Sequence, residues 1–77
     1  MWTIKENLPM GMLGFGKINY ESKVRAKNAF VFMFEKLSKK HSCKMFFRDT
    51  ADKPMRGQLQ VEVNGFYYYV ELFIKNE

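Results

Sequence analysis

The sequence is poor in cysteine and in long apolar runs, and each shortage excludes a class of protein. A single cysteine, Cys43, cannot form an internal disulfide, so this 77-residue chain is not a disulfide-stapled secreted domain. No apolar run approaches the roughly 20 residues of a membrane-spanning helix, and no signal peptide is apparent at the N-terminus. We therefore expect a cytoplasmic protein that makes no membrane contact. His41 and Cys43 are too few for the ligand set of a structural zinc site, so neither a metal nor a cofactor is expected.

Acidic residues are also few, and the excess of basic residues is unevenly placed along the chain. The formal net charge is +5. Residues 17–48 contain nine Lys or Arg and two acids, whereas from Asp49 onward five acids outnumber three bases. The basic half favours an acidic partner. Many Lys, Phe, Tyr, Asn and Ile with few Ala are typical of an AT-rich genome, so we expect an accessory protein of a bacteriophage or a low-GC bacterium.

Aromatic and methionine side chains are abundant, with 8 Phe, 4 Tyr, 1 Trp and 6 Met. This content favours a packed core over disorder, so we expect one domain over residues 1–77. A single core of this size is only marginally stable, and unpaired strand edges invite pairing between copies. A homodimer is therefore a further expectation.

The strongest local signal is a hairpin at Asn64-Gly65. This dipeptide supplies the two positive-φ residues of a type I′ turn, and runs of period-two alternation flank it. The turn predicts that Leu59 faces Val70 and Val61 faces Tyr68 on the face that a helix should cover. The reverse face is predicted to carry Arg56, Gln58, Gln60, Glu62, Tyr67, Tyr69, Glu71 and Phe73.

A helix is predicted over residues 22–41, because residues 23–41 contain neither Gly nor Pro and Ser22 can accept its first free amide protons. Apolar side chains recur along it at i, i+3, i+4 and i+7, which is the pattern of a helix that buries one face. The predicted core stripe is Ala26, Ala29, Phe30, Met33, Phe34, Leu37 and His41.

The remaining segments complete an α+β prediction. A strand from Cys43 to Arg48 joins the hairpin in a three-stranded antiparallel meander over residues 43–74. Residues 1–16 are rich in Gly and Met, and we expect a packed arm that leads into a short strand near Gly16 to Tyr20. The expected fold is one long amphipathic helix on an antiparallel sheet of three to four strands, in the order (β)-α-β-β-β.

Two motifs suggest chemistry, but the sequence favours a simpler explanation for each. The run from Gly11 to Gly16 superficially matches a phosphate-binding loop, yet the strand, helix and ribose-binding acid of that motif are missing. The run from His41 to Cys43 contains a base and a nucleophile, although adjacent residues at a helix-to-strand junction usually point in different directions. We expect no catalytic residue and no enzymatic activity. A small ribonuclease that depends on His41 is the enzyme alternative.

The tyrosine-bearing face of the hairpin is the first candidate surface. Tyr offers a large rigid area with a polar tip, which suits a protein interface. The leading hypothesis is a non-enzymatic binding protein that modulates or inhibits a larger macromolecular partner. Its predicted protein-binding residues are Tyr67, Tyr69, Phe73, Arg56 and Glu62. The face resembles in outline the stacking platform of single-stranded RNA binders, but Glu62 and Glu71 would repel phosphates and Arg56 is the only cation close by.

The outer face of the helix is the second candidate surface, because an aromatic ring lies there among cations. Basic side chains neutralise phosphates and an exposed ring stacks on a base, which predicts binding of RNA or single-stranded DNA. The predicted nucleic-acid-binding residues are Lys23, Arg25, Lys27, Phe32, Lys36, Lys39, Lys40 and Lys44. In an alternative arrangement, the N-terminal arm folds across the tyrosine face and covers it with Trp2, Ile4, Leu8 and Phe15.

Overall fold

The computed structural model describes residues 1–8 and 16–75. In chain order they form β1 (Trp2–Asn7), β2 (Lys17–Tyr20), α1 (Lys23–Ser38), β3 (Ser42–Arg48), β4 (Arg56–Val63) and β5 (Phe66–Ile74). These strands make one antiparallel sheet in the spatial order β2-β1-β5-β4-β3, and α1 packs on one face of it. The predicted α+β class is confirmed, although the sheet has five strands rather than three to four.

The C-terminal hairpin forms as the sequence predicts. Asn64 and Gly65 adopt φ values of 52° and 84°, which a type I′ turn requires. Leu59 lies opposite Val70, and both side chains are fully buried in the core that the helix covers. Tyr67 is exposed on the reverse face. The inner and outer faces of the hairpin are therefore assigned correctly from the sequence.

The helix is capped by Ser22, whose Oγ accepts a hydrogen bond of 3.2 Å from the backbone N–H of Arg25. The helix ends at Ser38 rather than at residue 41. His41 instead lies in the closing turn, where its backbone N–H donates to the Leu37 carbonyl at 2.9 Å. Within residues 1–8 and 16–75, no helix combines the length and the apolar character needed to cross a membrane. The buried members of the predicted stripe are Ala26, Phe30, Met33 and Leu37.

The N-terminal segment differs from the prediction. Residues 2–7 form a strand instead of an arm, and this strand lies inside the sheet between β2 and β5. Ile4 pairs with Leu72 and is fully buried on the helix side, so residues 2–7 do not fold across the tyrosine face. Phe15, which the prediction also placed across that face, lies outside the described residues. The predicted strand near Gly16 to Tyr20 is present as β2, and it pairs with β1.

The sheet itself explains why residues 2–7 are extended. Without β1, the nine residues of β5 would present unpaired N–H and C=O groups along one edge. The alternation of apolar Trp2 and Ile4 with polar Thr3 and Lys5 fits that edge, because it turns the apolar side chains towards the helix. Residues 9–15, which include Gly11 and Gly14 of the glycine motif, lie outside the described residues.

A close contact between Phe30 and Gly57 joins the helix to the sheet. Phe30 is fully buried, and its ring lies 6.3 Å from the Phe47 ring between centroids, tilted by 31°. A Cβ atom added to Gly57 would lie 2.6 Å from Cε2 of Phe30. The absence of a side chain at this position of β4 therefore allows the helix to approach the sheet.

Candidate binding face of the sheet

The sheet face that points away from α1 is the candidate site, and we call it the open face. Side chains alternate between the two faces of a strand, so the neighbours of the buried core residues point to this side. Most of its exposed members are aromatic or charged. The open face comprises Thr3, Lys5, Asn7, Lys17, Asn19, Ser42, Lys44, Phe46, Arg48, Arg56, Gln58, Gln60, Glu62, Tyr67, Tyr69, Glu71 and Phe73.

The strand register arranges these side chains in rows across the sheet. One row crosses all five strands and consists of Lys17, Lys5, Glu71, Gln58 and Phe46. The next row crosses four strands and consists of Asn7, Tyr69, Gln60 and Lys44. With a strand spacing of about 4.8 Å, the first row spans about 19 Å from its lysine end to its phenylalanine end. Cationic, polar and aromatic groups therefore follow one another over a distance that a linear polymer can cover.

Aromatic rings on the open face remain accessible. Tyr67 is 56% exposed, Phe46 is 54% exposed and Tyr69 is 36% exposed. Phe73 is partly buried beside Thr3, its partner on β1. The structure thus places the three predicted aromatic residues on one face and adds Phe46. Phe46 could not be recognised as a site residue from the sequence, because only the pairing of β3 with β4 gives it its neighbours on this face.

Cations from three further strands join Arg56 on the open face. Lys5 and Lys17 come from β1 and β2, and Lys44 and Arg48 come from β3. Within the described strands this face therefore carries five cations against two acids, Glu62 and Glu71. The expectation of a single cation near the tyrosines is wrong, because the strand order brings together residues that are distant along the chain.

A groove on the open face combines a ring with charged groups of both signs. It has a volume of about 420 Å³ and is lined by Phe46, Phe47, Arg48, Arg56, Gly57, Gln58 and Glu71. Nη2 of Arg48 donates to the Pro54 carbonyl at 3.4 Å, which holds this guanidinium beside the groove. A smaller hollow of about 100 Å³ lies on the other side of Glu71, lined by Lys5, Asn7 and Tyr69 together with Glu71 itself.

Lysines gather at the β2 side of the open face. The pKa of Lys17 is lowered mainly by its side-chain contact with Lys75 and by the positive charge of Lys75. Desolvation and the charge of Lys5 lower it further. Lys5 and Lys17 are also direct partners across β1 and β2. Thr3, two residues before Lys5 on β1, is fully buried, and its Oγ1 donates to Oδ1 of Asn19 at 2.8 Å. Like charges at such proximity would be relieved by an anion placed between them.

The outer face of the helix offers fewer free cations than predicted. Asp49 lies 2.7 Å from Nζ of Lys23 and 4.0 Å from Nζ of Lys27. The hydrogen bond from Lys23 is the main cause that lowers the pKa of Asp49. Lys44 belongs to the open face instead of the helix face. The exposed members that remain on or just after the helix are Arg25, Phe32, Lys36, Lys39 and Lys40.

The surroundings of Cys43 bear on its candidate pairing with His41 as nucleophile and base. Cys43 lies opposite Val61 on the helix side of β3 and interacts with Ser38. Burial raises the pKa of the Cys43 thiol, which disfavours the thiolate that a nucleophile needs. Over residues 1–8 and 16–75, no group of three or more His, Cys, Asp or Glu side chains is arranged to hold a metal ion.

Comparisons of this chain with protein-family models, with curated proteins and with solved structures found no match. No activity, ligand or partner of another protein therefore bears on this one. The features of this chain that bear on its function are the charges and exposed rings of the open face and of the outer helix face.

Proposed function

We propose that this protein is a non-enzymatic binding protein that works inside the cell and modulates a larger macromolecule by docking through its open face. The observation that supports this proposal is the exposure of Phe46, Tyr67 and Tyr69 on one sheet face. Several exposed rings on one face of a small domain often mark an interaction site, since water solvates them poorly. Aromatic residues and Arg are also the types that carry most of the energy of binding interfaces.

Each residue of the open face has a physical role in this proposal. Tyr67 and Tyr69 are anchors that bury rigid area and keep a hydroxyl for hydrogen bonding. Phe73 supports them from the same strand, and Arg56 supplies a guanidinium for acidic groups of the partner. Glu62, the strand partner of Tyr67, supplies an acceptor at the hairpin end of the face. The net charge of +5 steers the protein towards an acidic partner.

The test is affinity capture from a bacterial lysate at low salt, with nuclease-treated and untreated lysates run in parallel. The wild-type chain should retain a stoichiometric macromolecule, and a Tyr67→Ser, Tyr69→Ser double variant should lose it. Phe66→Ser is the matched control, because this ring is 68% exposed but lies on the helix side of β5, opposite Val63. Equal retention by the wild type and the double variant, or no stoichiometric partner at all, would refute the proposal.

The helix face is a second candidate because Phe32 is 64% exposed on the side of α1 that also carries Arg25, Lys36 and Lys39. This candidate is binding of RNA or single-stranded DNA along the outer surface of α1. It predicts that Phe32→Ala and Lys36→Gln weaken binding while open-face variants do not. The ion pairs that Asp49 makes with Lys23 and Lys27 reduce the charge available there, so we rank it below the open face.

Two further expectations have direct tests. A His41-dependent ribonuclease would lose RNA cleavage in the His41→Ala variant while its fold is retained. A homodimer would show twice the 9.2 kDa chain mass in light scattering. RNA that stays intact with the wild-type protein would remove the enzyme alternative, and a monomer mass at high concentration would remove the dimer.

A further inference from the structure

We infer that the occupant of the open face is a single-stranded nucleic acid, an inference that rests on the proposed function and names its partner. Proteins bind such strands by stacking bases on aromatic rings and by pairing phosphates with cations. The open face provides both within about 19 Å across the sheet. Its five cations come from four different strands, so the charge is spread over the face and follows the path of an extended polymer.

The groove beside β3 has the chemistry of one nucleotide. The exposed Phe46 ring offers a stacking surface for a base, and Arg48 and Arg56 offer guanidinium groups for its phosphate. The Glu71 carboxylate in the same groove accepts a hydrogen bond from an amino group on the edge of a base. The volume of about 420 Å³ is within the usual range of small-ligand sites.

The strand can continue from this groove towards β2. Tyr69 and Lys5 line the hollow on the far side of Glu71, where a second base and phosphate would lie. Beyond them, a further phosphate would lie beside Lys5 and Lys17, which are direct partners across β1 and β2, and would offset the positive charge around Lys17. A phosphate path from the arginines of the groove to these lysines therefore crosses the sheet from β3 to β2.

The two acids of the open face do not block this path. Glu71 has Lys5 as its strand partner on β1 and lines the same groove as the two arginines, so cations come from strands on both sides of it. Glu62 lies nearer the hairpin turn, between Tyr67 and Ser42. An acidic protein would satisfy the cations, but the exposed Phe46 ring beside Arg48 and Arg56 matches a base with its attached phosphate more directly. The combination of an exposed ring with neighbouring cations therefore favours a nucleic acid.

The test is fluorescence anisotropy with labelled mixed-sequence RNA and DNA single strands of about 12 nucleotides. We expect binding at about 50 mM salt that weakens steeply towards about 200 mM. Phe46→Ala should weaken binding about tenfold, since one stacked base is lost. Arg48→Gln should reduce the slope of log affinity against log salt by about 0.7, the value for one phosphate contact on a single strand.

Matched controls separate the open face from general charge and from the helix. Phe66→Ala removes an exposed ring from the other side of β5, and Lys36→Gln removes an exposed cation from the helix. Both variants should bind as the wild type does. Thermal unfolding of each variant checks that the fold is retained, so a loss of binding is not a loss of structure.

Three outcomes would overturn the inference. The first is no binding of either strand at about 50 mM salt. The second is binding that Phe32→Ala and Lys36→Gln weaken but Phe46→Ala does not, which would assign the nucleic acid to the helix face. The third is a nuclease-resistant protein captured from lysate and lost in the Tyr67, Tyr69 double variant, while oligonucleotides fail to bind. In that last case the proposed function stands and only its partner is wrong.

Discussion

The contact between Gly57 and Phe30 gives the sharpest prediction about stability. In the Gly57→Ala variant, the new Cβ would lie 2.6 Å from Cε2 and 2.8 Å from Cζ of Phe30. Ordinary contacts of this kind begin at about 3.4 Å. Phe30 is fully buried and packs against Phe47, so its ring cannot move aside without disturbing the core.

The size of the effect follows from two opposing terms. Forcing a methyl group into a packed core costs about 1–3 kcal/mol of unfolding free energy. Replacing Gly by Ala restricts the unfolded chain, which offsets about 0.4–1 kcal/mol of that cost. This offset applies because Gly57 does not have a positive φ. We therefore expect a net loss of about 1–2 kcal/mol, which lowers Tm by roughly 5–15 °C in a domain of this size.

Urea unfolding followed by circular dichroism measures this loss for Gly57→Ala against the wild type. Gln58→Ala is the control, because its side chain lies on the open face and we expect a change within about 0.5 kcal/mol. Combining Gly57→Ala with Phe30→Leu should cost less than the sum of the two single variants, because a smaller residue makes room for the methyl group. A Gly57→Ala protein as stable as the wild type would refute the steric argument.

Three other perturbations test separate parts of the structure. Gly65→Val should cost about 1–3 kcal/mol of unfolding free energy through its φ of +84° alone, and unchanged stability would contradict that backbone strain. Because Lys23 lowers the pKa of Asp49 in the folded protein, the ionised carboxylate stabilises the fold at pH values above 3.8, the ordinary pKa of this group. That stabilisation is lost as the pH falls through the lower pKa of the folded state. In thermal unfolding from pH 5 downward, Tm should therefore fall less steeply with pH for Asp49→Asn than for the wild type. Parallel curves of Tm against pH would disprove this role. Burial raises the pKa of Cys43, so alkylation followed by mass spectrometry should be slower in the folded than in the urea-unfolded protein, and equal rates would be inconsistent with the burial.

Local signals account for the elements that could be predicted. The hairpin register follows from the turn chemistry of Asn64-Gly65, and the helix follows from its apolar spacing and from the cap at Ser22. The strand β1 was missed because only Trp2 and Ile4 show its alternation, beside a Gly-rich stretch that indicates irregular structure. Its extended form depends on pairing with β5, which is about 65 residues away along the chain.

The candidate site was also predictable only in part. Tyr67, Tyr69 and Phe73 were assigned to one face from the hairpin alone, since alternation along a strand is a property of neighbouring residues. Their surroundings were not assigned, because the cations that flank them come from strands whose order depends on distant pairings. The open face consequently has a positive excess that the hairpin residues by themselves do not show.

The amino-acid sequence by itself determined the helix, the hairpin and the side of the hairpin that is buried, because these depend on steric and hydrophobic patterns within a few residues. Only the tertiary structure decided that β1 lies inside the sheet, that Phe46 shares a groove with Arg48 and Arg56, and that lysines gather at the opposite side. The physical reason is that strand order depends on which strand edges can pair their backbone hydrogen-bonding groups and bury apolar side chains together. All strands of the chain compete for these pairings, so residues far apart in the sequence decide the order.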